Sequence, residues 1–375
     1  MWIQRKFETE NDFFKQGKVN MIYGPRRAGK TALIEKILKD KADKLFIGSG
    51  DDQILRTSLN SENRDYLISL FHSYDIIFID EAQKISGIGS SLKILIDNMP
   101  EKTIIASGSS SFKLSGQVGE PLTGRNKTRL LYPISIDEWS NNFGGIDVIQ
   151  KLESFLIFGM YPEILNLIGR DEKIEYLNEL RNSYILKDIL EIENLKYTNK
   201  LFDLLRLLSY QIGNDVSLSE LSRNLEIAKQ TVEKYLNLLE QAFVIVKLPG
   251  FSKNLRKEIN KTNRYYFVDN GIRNSVINNY NEIGFRDDIG RLWENFIISE
   301  RIKFQNNNHI YSNNFFWRTY DKKEIDLVEE RDGKLYGFEF KWKAQKNTSS
   351  KTWLKTYPNA EFEIINRENF ITWLT

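Results

Sequence analysis

The part of this chain that most restricts its fold is a loop between two short patterns. Val19-Asn20-Met21-Ile22-Tyr23 is an apolar, strand-like run, and TALIEKILKD repeats its apolar residues at helical spacing. Between them stands Gly24-Pro25-Arg26-Arg27-Ala28-Gly29-Lys30-Thr31, a full match to G-x-x-x-x-G-K-[ST]. A strand that turns through glycine into a helix can wrap backbone N–H groups around a polyanion, because no side chain stands in the way. The helix start adds the positive end of its dipole. The pattern predicts a phosphate cradle at Gly24, Arg27, Ala28 and Gly29. Lys30 would reach the β- and γ-phosphates of ATP, and the Thr31 hydroxyl would ligate Mg²⁺.

Further along, Ile76-Ile77-Phe78-Ile79 ends in Asp80-Glu81. Four apolar residues predict a buried strand, and ligands of open α/β sheets sit at strand carboxy ends. Asp80 is placed to hold Mg²⁺ and Glu81 to activate the attacking water. In KTIIASGSS, Ser107 or Ser109 ends another strand, either as a sensor of the γ-phosphate or as part of a serine-rich turn. VNMIY, KLFI, DIIFID and KTIIAS alternate with the helical TALIEKILKD and SSLKILIDNM. That alternation predicts an α/β fold of the P-loop NTPase kind, a parallel sheet covered on both faces.

At 375 residues the chain exceeds one ordinary core. Its 53 Lys and Arg against 51 Asp and Glu argue against a strongly basic nucleic-acid binder, so any basic footprint must be local. The absence of cysteine excludes disulfides and thiolate zinc sites. His72 and His309 read as ordinary surface or core side chains. The start lacks a signal-like apolar run, and no segment holds 18 uninterrupted apolar residues, so a cytoplasmic protein without membrane contact is expected. The pattern divides the chain into a sheet unit at 1–140, a helical lid at 141–200, a compact helical set at 201–255 and a mixed α/β unit at 256–375.

In the third unit, Ser217 and Glu220 form a capping box before a short helix. A second helix comes next, AKQTVEKYLNLLEQ, then the strand-like FVIVKL. This order reads as a winged helix-turn-helix. Lys229, Gln230, Thr231 and Lys234 at the start of the second helix suit phosphates and base edges. Residues 215 to 247 hold five acids and four bases, however, and such modules also dock proteins. FSKNLRKEINKTNR then reads as a linker or wing, with a local basic excess from Lys253, Arg256, Lys257, Lys261 and Arg264 against Glu258. In the last unit, Glu294 lies on a helical pattern, Asp326 on a strand, and Glu339 with Lys341 on alternate positions of the next strand. Two carboxylates with a lysine can hold Mg²⁺ beside a phosphodiester, although a strand E-x-K is also common as a solvated pair. Lys341, Lys343, Lys346, Lys351 and Lys355 form a run without an acid, suited to a phosphate backbone.

Taken in order, GPRRAGKT, IIFIDEAQ, IIASGSSSFKL, Gly124-Arg125 and LYPISIDEW resemble the AAA+ ATPases widespread in archaea and bacteria that are fused to a C-terminal domain of unknown function. GMYPE, LKDIL and YFVDNGI are similar to that family as well. The resemblance implies a winged helix-turn-helix and makes Arg125 the candidate arginine finger across a homo-oligomer interface, against the alternative of a surface salt bridge. Glu294, Asp326, Glu339 and Lys341 resemble the set of the restriction-endonuclease-like superfamily, D-(x)n-E-x-K with a helical Glu. Two functions are consistent with these features. One is an ATPase that couples nucleotide state to DNA binding or processing by a nuclease-like tail. The other is a nucleotide-gated regulatory switch or scaffold whose tail does not cut.

Overall fold

Strand β1 (Val19–Tyr23) is buried along its whole length, as an interior strand of a parallel sheet covered on both faces must be. The computed structural model describes residues 1–10, 13–39, 44–109, 122–182, 198–252, 263–319, 323–343 and 349–375. After β1 come helix α1 (Lys30–Leu38), β2 (Leu45–Ser49), α2 (Gln53–Leu59), α3 (Arg64–Phe71), β3 (Ile76–Asp80), α4 (Ile88–Asn98), β4 (Thr103–Gly108) and β5 (Asn126–Leu130). The strands pair in the order β2-β3-β4-β1-β5, all parallel. This order brings the carboxy ends of β3, β4 and β1 side by side. Alternate residues supply two cores. Ile22, Phe78 and Ile105 face Leu33, Ile34 and Phe7 on one side, and Met21, Ile77 and Ile104 face Leu67, Leu92 and Leu95 on the other.

A helical stretch comes next, with α5 (Ile136–Phe143), α6 (Gly145–Phe158), α7 (Pro162–Asn166) and α8 (Arg170–Leu180). The Ser135 hydroxyl and the Glu138 carboxylate cap α5 reciprocally. Beyond them lie α9 (Thr198–Tyr210), α10 (Leu218–Leu225) and α11 (Lys229–Gln241), then β6 (Ile245–Pro249) and β7 (Asn263–Phe267). Ser217 caps α10. Strands β6 and β7 pair antiparallel, and Val216 adds an antiparallel bridge to Asn263. The hairpin therefore spans residue 255, where the sequence pattern places a domain boundary. Cross-strand pairing joins β7 to the helices before it. LKDIL at 186 to 190 and the bases from Lys253 to Lys261 lie outside the described residues.

The remainder consists of α12 (Asn270–Val276), α13 (Ile289–Asn307), β8 (Asn313–Arg318), β9 (Glu324–Arg331), β10 (Lys334–Phe340), α14 (Ser349–Thr356), β11 (Glu361–Ile365) and α15 (Phe370–Leu374). The sheet runs β11-β10-β9-β8, parallel only between β10 and β11. Asp332 and Gly333 turn the β9–β10 hairpin with φ of 52° and 72°, the left-handed pair that matches strand twist. One apolar core runs from Ile3 through the helices into this unit, reaching Leu374. No described helix is long and apolar enough to cross a membrane.

GMYPE and YFVDNGI, far apart in sequence, lock together in this core. The Asp269 carboxylate accepts from the Met160 N–H at 2.7 Å and from the Gly271 N–H at 2.8 Å. Gly159 has φ of 76°, and a Cβ there would lie 1.9 Å from Asp269 Oδ1. Gly159→Ala combines a strained backbone with overpacking, and is expected to cost about 2–5 kcal/mol. Urea unfolding measures it, and a midpoint unchanged from wild type would contradict this account of the contact.

Candidate nucleotide site and a buried carboxylate cluster

The P-loop leaves β1 at Gly24, whose φ is 150° and where a Cβ would lie 2.0 Å from the Leu131 carbonyl oxygen. Arg27 and Gly29 also have positive φ, 59° and 93°, so the loop curls back before α1 starts at Lys30. The Lys30 ammonium is buried and donates to the carbonyls of Gly24 and Pro25, each at 2.9 Å. The Thr31 hydroxyl donates to Asp80 Oδ2 at 2.7 Å. Asp80 Oδ1 accepts from the Ser107 hydroxyl and from the Glu81 N–H at 3.0 Å. One carboxylate thus ties the ends of β3 and β4 to the first turn of α1. Thr31 and Asp80 present adjacent hard oxygens, the donor type Mg²⁺ takes.

Glu81 has φ of 48°, which turns its side chain out of the strand line. Its carboxylate accepts from Gln83 Nε2, and the same amide lies 3.2 Å from the Ser109 hydroxyl. The two serines thus have different partners: Ser107 meets Asp80, and Ser109 meets Gln83. The Arg27 guanidinium does not join the loop. It reaches Glu179 of α8 at 2.7 Å and lies over the Tyr176 ring at 5.2 Å. Arg125 pairs with Asp97 at 2.5 Å and is partly exposed. Val19 is in register with Asn126, so Arg125 sits at the end of the sheet opposite Gly24. At about 3.3 Å per residue, the six steps from its level to Gly24 set its backbone about 20 Å from its own P-loop.

Sequence reasoning missed Gln83 and, with more consequence, Arg5. Arg5 is 4% exposed and donates to the Ala28 carbonyl inside the P-loop at 2.9 Å. Gln83 ends the run IIFIDEAQ, where the pattern gives it no role, and Arg5 belongs to no recognisable pattern. Pro162 of the GMYPE run also meets this loop, 3.8 Å from where a Gly29 Cβ would stand.

Glu294, Asp326, Glu339 and Lys341 come together as their order implies. Lys334 pairs with Arg331 and Phe338 with Leu327, and the same register continued by one residue sets Asp326 opposite Glu339. Lys341 Nζ lies 2.7 Å from Glu339 Oε1. The Asp326 Oδ2 accepts from the Phe340 N–H at 2.8 Å. The preceding unit covers the cluster. The Tyr266 hydroxyl donates to Glu294 Oε1 at 2.7 Å, and a Cβ on Gly213 would lie 2.7 Å from Glu294 Oε2. Arg264, 1% exposed, reaches Glu324 at 2.8 Å, Asp215 at 3.2 Å and Asp326 at 3.9 Å. The sequence pattern counts Arg264 in the basic excess of a linker or wing; its three carboxylates hold it inside. No group of three or more His, Asp or Glu among the described residues is arranged to hold a metal ion. Lys343, Lys351 and Lys355 are exposed, and Lys346 lies outside the described residues.

Burial, with Glu294 and Glu339 nearby, pushes the Asp326 carboxyl well above the usual carboxylate range. Burial also raises Glu294, against the opposing pull of Arg264 and Tyr266.

Residues 16–140 match a family model described as an AAA domain. This segment is an AAA-type P-loop domain. Residues 149–282 and 289–366 match two models described as domains of unknown function, DUF8612 and DUF4143. An uncharacterized protein of Mycobacterium tuberculosis is 24% identical over 327 residues, covering 86% of this chain and 70% of its own length. An uncharacterized protein of Methanocaldococcus jannaschii is 24% identical over 330 residues, covering 83% and 72%. Among solved structures, RuvB of Thermotoga maritima has a TM-score of 0.30 and 16% identity over 61% of this chain and 81% of that one. The AAA domain carries the Thr31, Asp80 and Ser107 contacts. The carboxylate cluster draws Glu294, Asp326, Glu339 and Lys341 from the DUF4143 match, and Arg264 and Tyr266 from the DUF8612 match.

The raised Asp326 fixes the sign of a pH effect. In the unfolded chain this carboxyl ionises near pH 4, about the ordinary value. Its contribution to folding is complete below that pH and is lost as pH rises through the higher value it has in the fold. Asp326→Asn keeps an oxygen for the Phe340 N–H and does not titrate. The variant is expected to gain thermal stability relative to wild type as pH rises from about 5 to neutral. A difference in melting temperature that stays constant over that range would refute this.

Proposed function

We propose that this chain is a Mg²⁺-dependent ATPase that works as a nucleotide-gated switch, its C-terminal unit serving as a scaffold that reads the state of the AAA domain. The observation that carries the reading is the bridge of Asp80 between Thr31 and Ser107, one residue from Lys30 and from Glu81. The backbone N–H groups from Gly24 to Gly29 would cradle the phosphates, and Lys30 would leave the loop carbonyls for the β- and γ-phosphates. Thr31 and Asp80 would hold Mg²⁺, which neutralises charge on the bridged phosphates. Ser107 fixes the orientation of Asp80. Glu81 would activate the water once it parts from Gln83. Arg125 is too far from its own P-loop to act in cis; it would act only in the site of a neighbouring copy, and its pairing with Asp97 is the alternative, a surface salt bridge. The switch reading is preferred to cleavage because the carboxylates of the nuclease-like set lie buried beneath Arg264 and Tyr266, and Lys341 is paired with Glu339.

A DNA-bound reading is favoured by a separate observation. Helices α9 to α11, the Val216 bridge and the β6–β7 hairpin stand in the order of a winged helix, and Lys229, Gln230 and Lys234 are exposed at the start of α11. In that case DNA affinity should fall steeply with salt, with a shallower slope in a Lys229→Ala, Lys234→Ala double variant. No cleavage with Mg²⁺ or Mn²⁺ is expected under either reading.

Phosphate release and nucleotide titration of the purified chain test the main reading. Lys30→Ala is expected to lose nucleotide binding. Glu81→Gln is expected to bind nucleotide and to turn over about 10²–10⁴-fold more slowly. With Arg125 acting between copies, the rate per subunit should rise with protein concentration. Wild-type turnover by either variant would remove the site assignment.

A further inference from the structure

Arg5 lies before the AAA-domain match, yet its guanidinium reaches into the P-loop. Nη1 donates to the Ala28 carbonyl at 2.9 Å, Nη2 to the Tyr132 carbonyl at 2.6 Å, and Nε to Glu138 Oε1 at 2.9 Å. Across a planar trans peptide the C=O and the next N–H point in opposite directions, and no peptide in the described structure is cis. Pinning the Ala28 oxygen toward Arg5 therefore turns the Gly29 N–H away from it. Gly29 has φ of 93° and directly precedes α1, so this N–H belongs to the group at the helix start that would meet phosphate oxygens.

Arg5 is itself held from a distance. Glu138 Oε1 also accepts from the Lys6 N–H at 3.0 Å, and Oε2 accepts from the Ser135 N–H at 3.0 Å. The segment carrying Ser135 and Glu138 is gripped by α13. Glu300 Oε2 accepts from the Ile136 N–H at 2.7 Å, Lys303 donates to the Ile134 carbonyl at 3.2 Å, and Asn307 donates to the Ser135 hydroxyl at 3.2 Å. Glu300 and Lys303 pair at 2.7 Å, both fully enclosed. A continuous path of satisfied buried polar groups thus runs from α13 through residues 134–138 and Arg5 to one P-loop peptide. The same helix carries Glu294 in the carboxylate cluster.

We propose that Arg5 is a positioning residue of the nucleotide site, and that through Glu138 it makes the phosphate-binding form of the P-loop conditional on the seating of α13. This rests on the reading of the P-loop as an ATP site. Arg5 touches no phosphate itself. It acts through the Ala28–Gly29 peptide.

The test uses the full chain with MgATPγS as the probe. Arg5→Lys keeps the charge but cannot serve three acceptors in a fork. It is expected to weaken MgATPγS binding by about 10–100-fold, the worth of one charge-assisted hydrogen bond. In ATP turnover KM should rise more than kcat falls. Glu300→Gln, remote from the P-loop, should shift affinity in the same direction by less. In wild type, MgATPγS should slow amide hydrogen exchange across residues 300–307, and Arg5→Lys should abolish that slowing while the P-loop still binds at saturating nucleotide. Where Arg5→Lys does not fold, Glu138→Gln takes its place with the same expected losses. Wild-type affinity in both Arg5→Lys and Glu300→Gln, or a fall in melting temperature alone, overturns the proposal. Failure of wild type to bind MgATPγS at all overturns the ATP reading instead, so the two failures are distinguishable.

Discussion

Charge enclosed in protein must find its partner there, and this constraint sets how the parts of the molecule meet. Arg5, Glu138, Asp269, Glu300 and Lys303 are all buried, and each is held by bonds that cross between segments distant in sequence. Buried pairs of this kind add little net stability over apolar packing, because desolvation offsets much of the attraction. Breaking one side of such a pair is costly, however. The apolar core from Ile3 to Leu374 supplies cohesion, while the buried charges tie residues 134–138 of the AAA match to helix α13.

The carboxylate cluster applies the same constraint to a different end. Sequence order alone brings Glu294, Asp326, Glu339 and Lys341 to one place, because a hairpin and alternate strand positions are local geometry. Their surroundings are not local. Arg264 comes from β7 and Asp215 from beside the Val216 bridge, and Arg264 brings a buried guanidinium that joins Asp215, Glu324 and Asp326.

The same distinction explains what could be read from the chain directly. The P-loop and Asp80-Glu81 were legible because each is a contiguous pattern in which chemistry and backbone geometry share a few adjacent residues. The choice between Ser107 and Ser109 was not, since both end the same strand and only the neighbouring strands decide which meets Asp80. Arg5 was illegible for a stronger reason. Its acceptors lie 23, 127 and 133 residues away, and a lone arginine carries no periodic or turn signal. Arg264 was misread with its basic neighbours because composition records charge and not the partners that tertiary structure supplies. The stretch after β6 reads equally as a linker or a wing, because a basic, polar composition suits both.

Helix α13 has 19 residues, with Glu294 near one end and Asn306 to Asn308 at the other. Asn306 donates to the Leu130 carbonyl at the end of the AAA sheet, while Glu294 sits under Tyr266. An α-helix advances about 1.5 Å and turns about 100° with each residue. One residue added or removed between Glu294 and Glu300 would leave only one end correctly aimed, with the other swung a quarter-turn or more from its partners. The spacing of those two glutamates is therefore a fixed dimension of the molecule. Loops elsewhere in the chain can lengthen or shorten, but this helix can change its length only by giving up one of its two attachments.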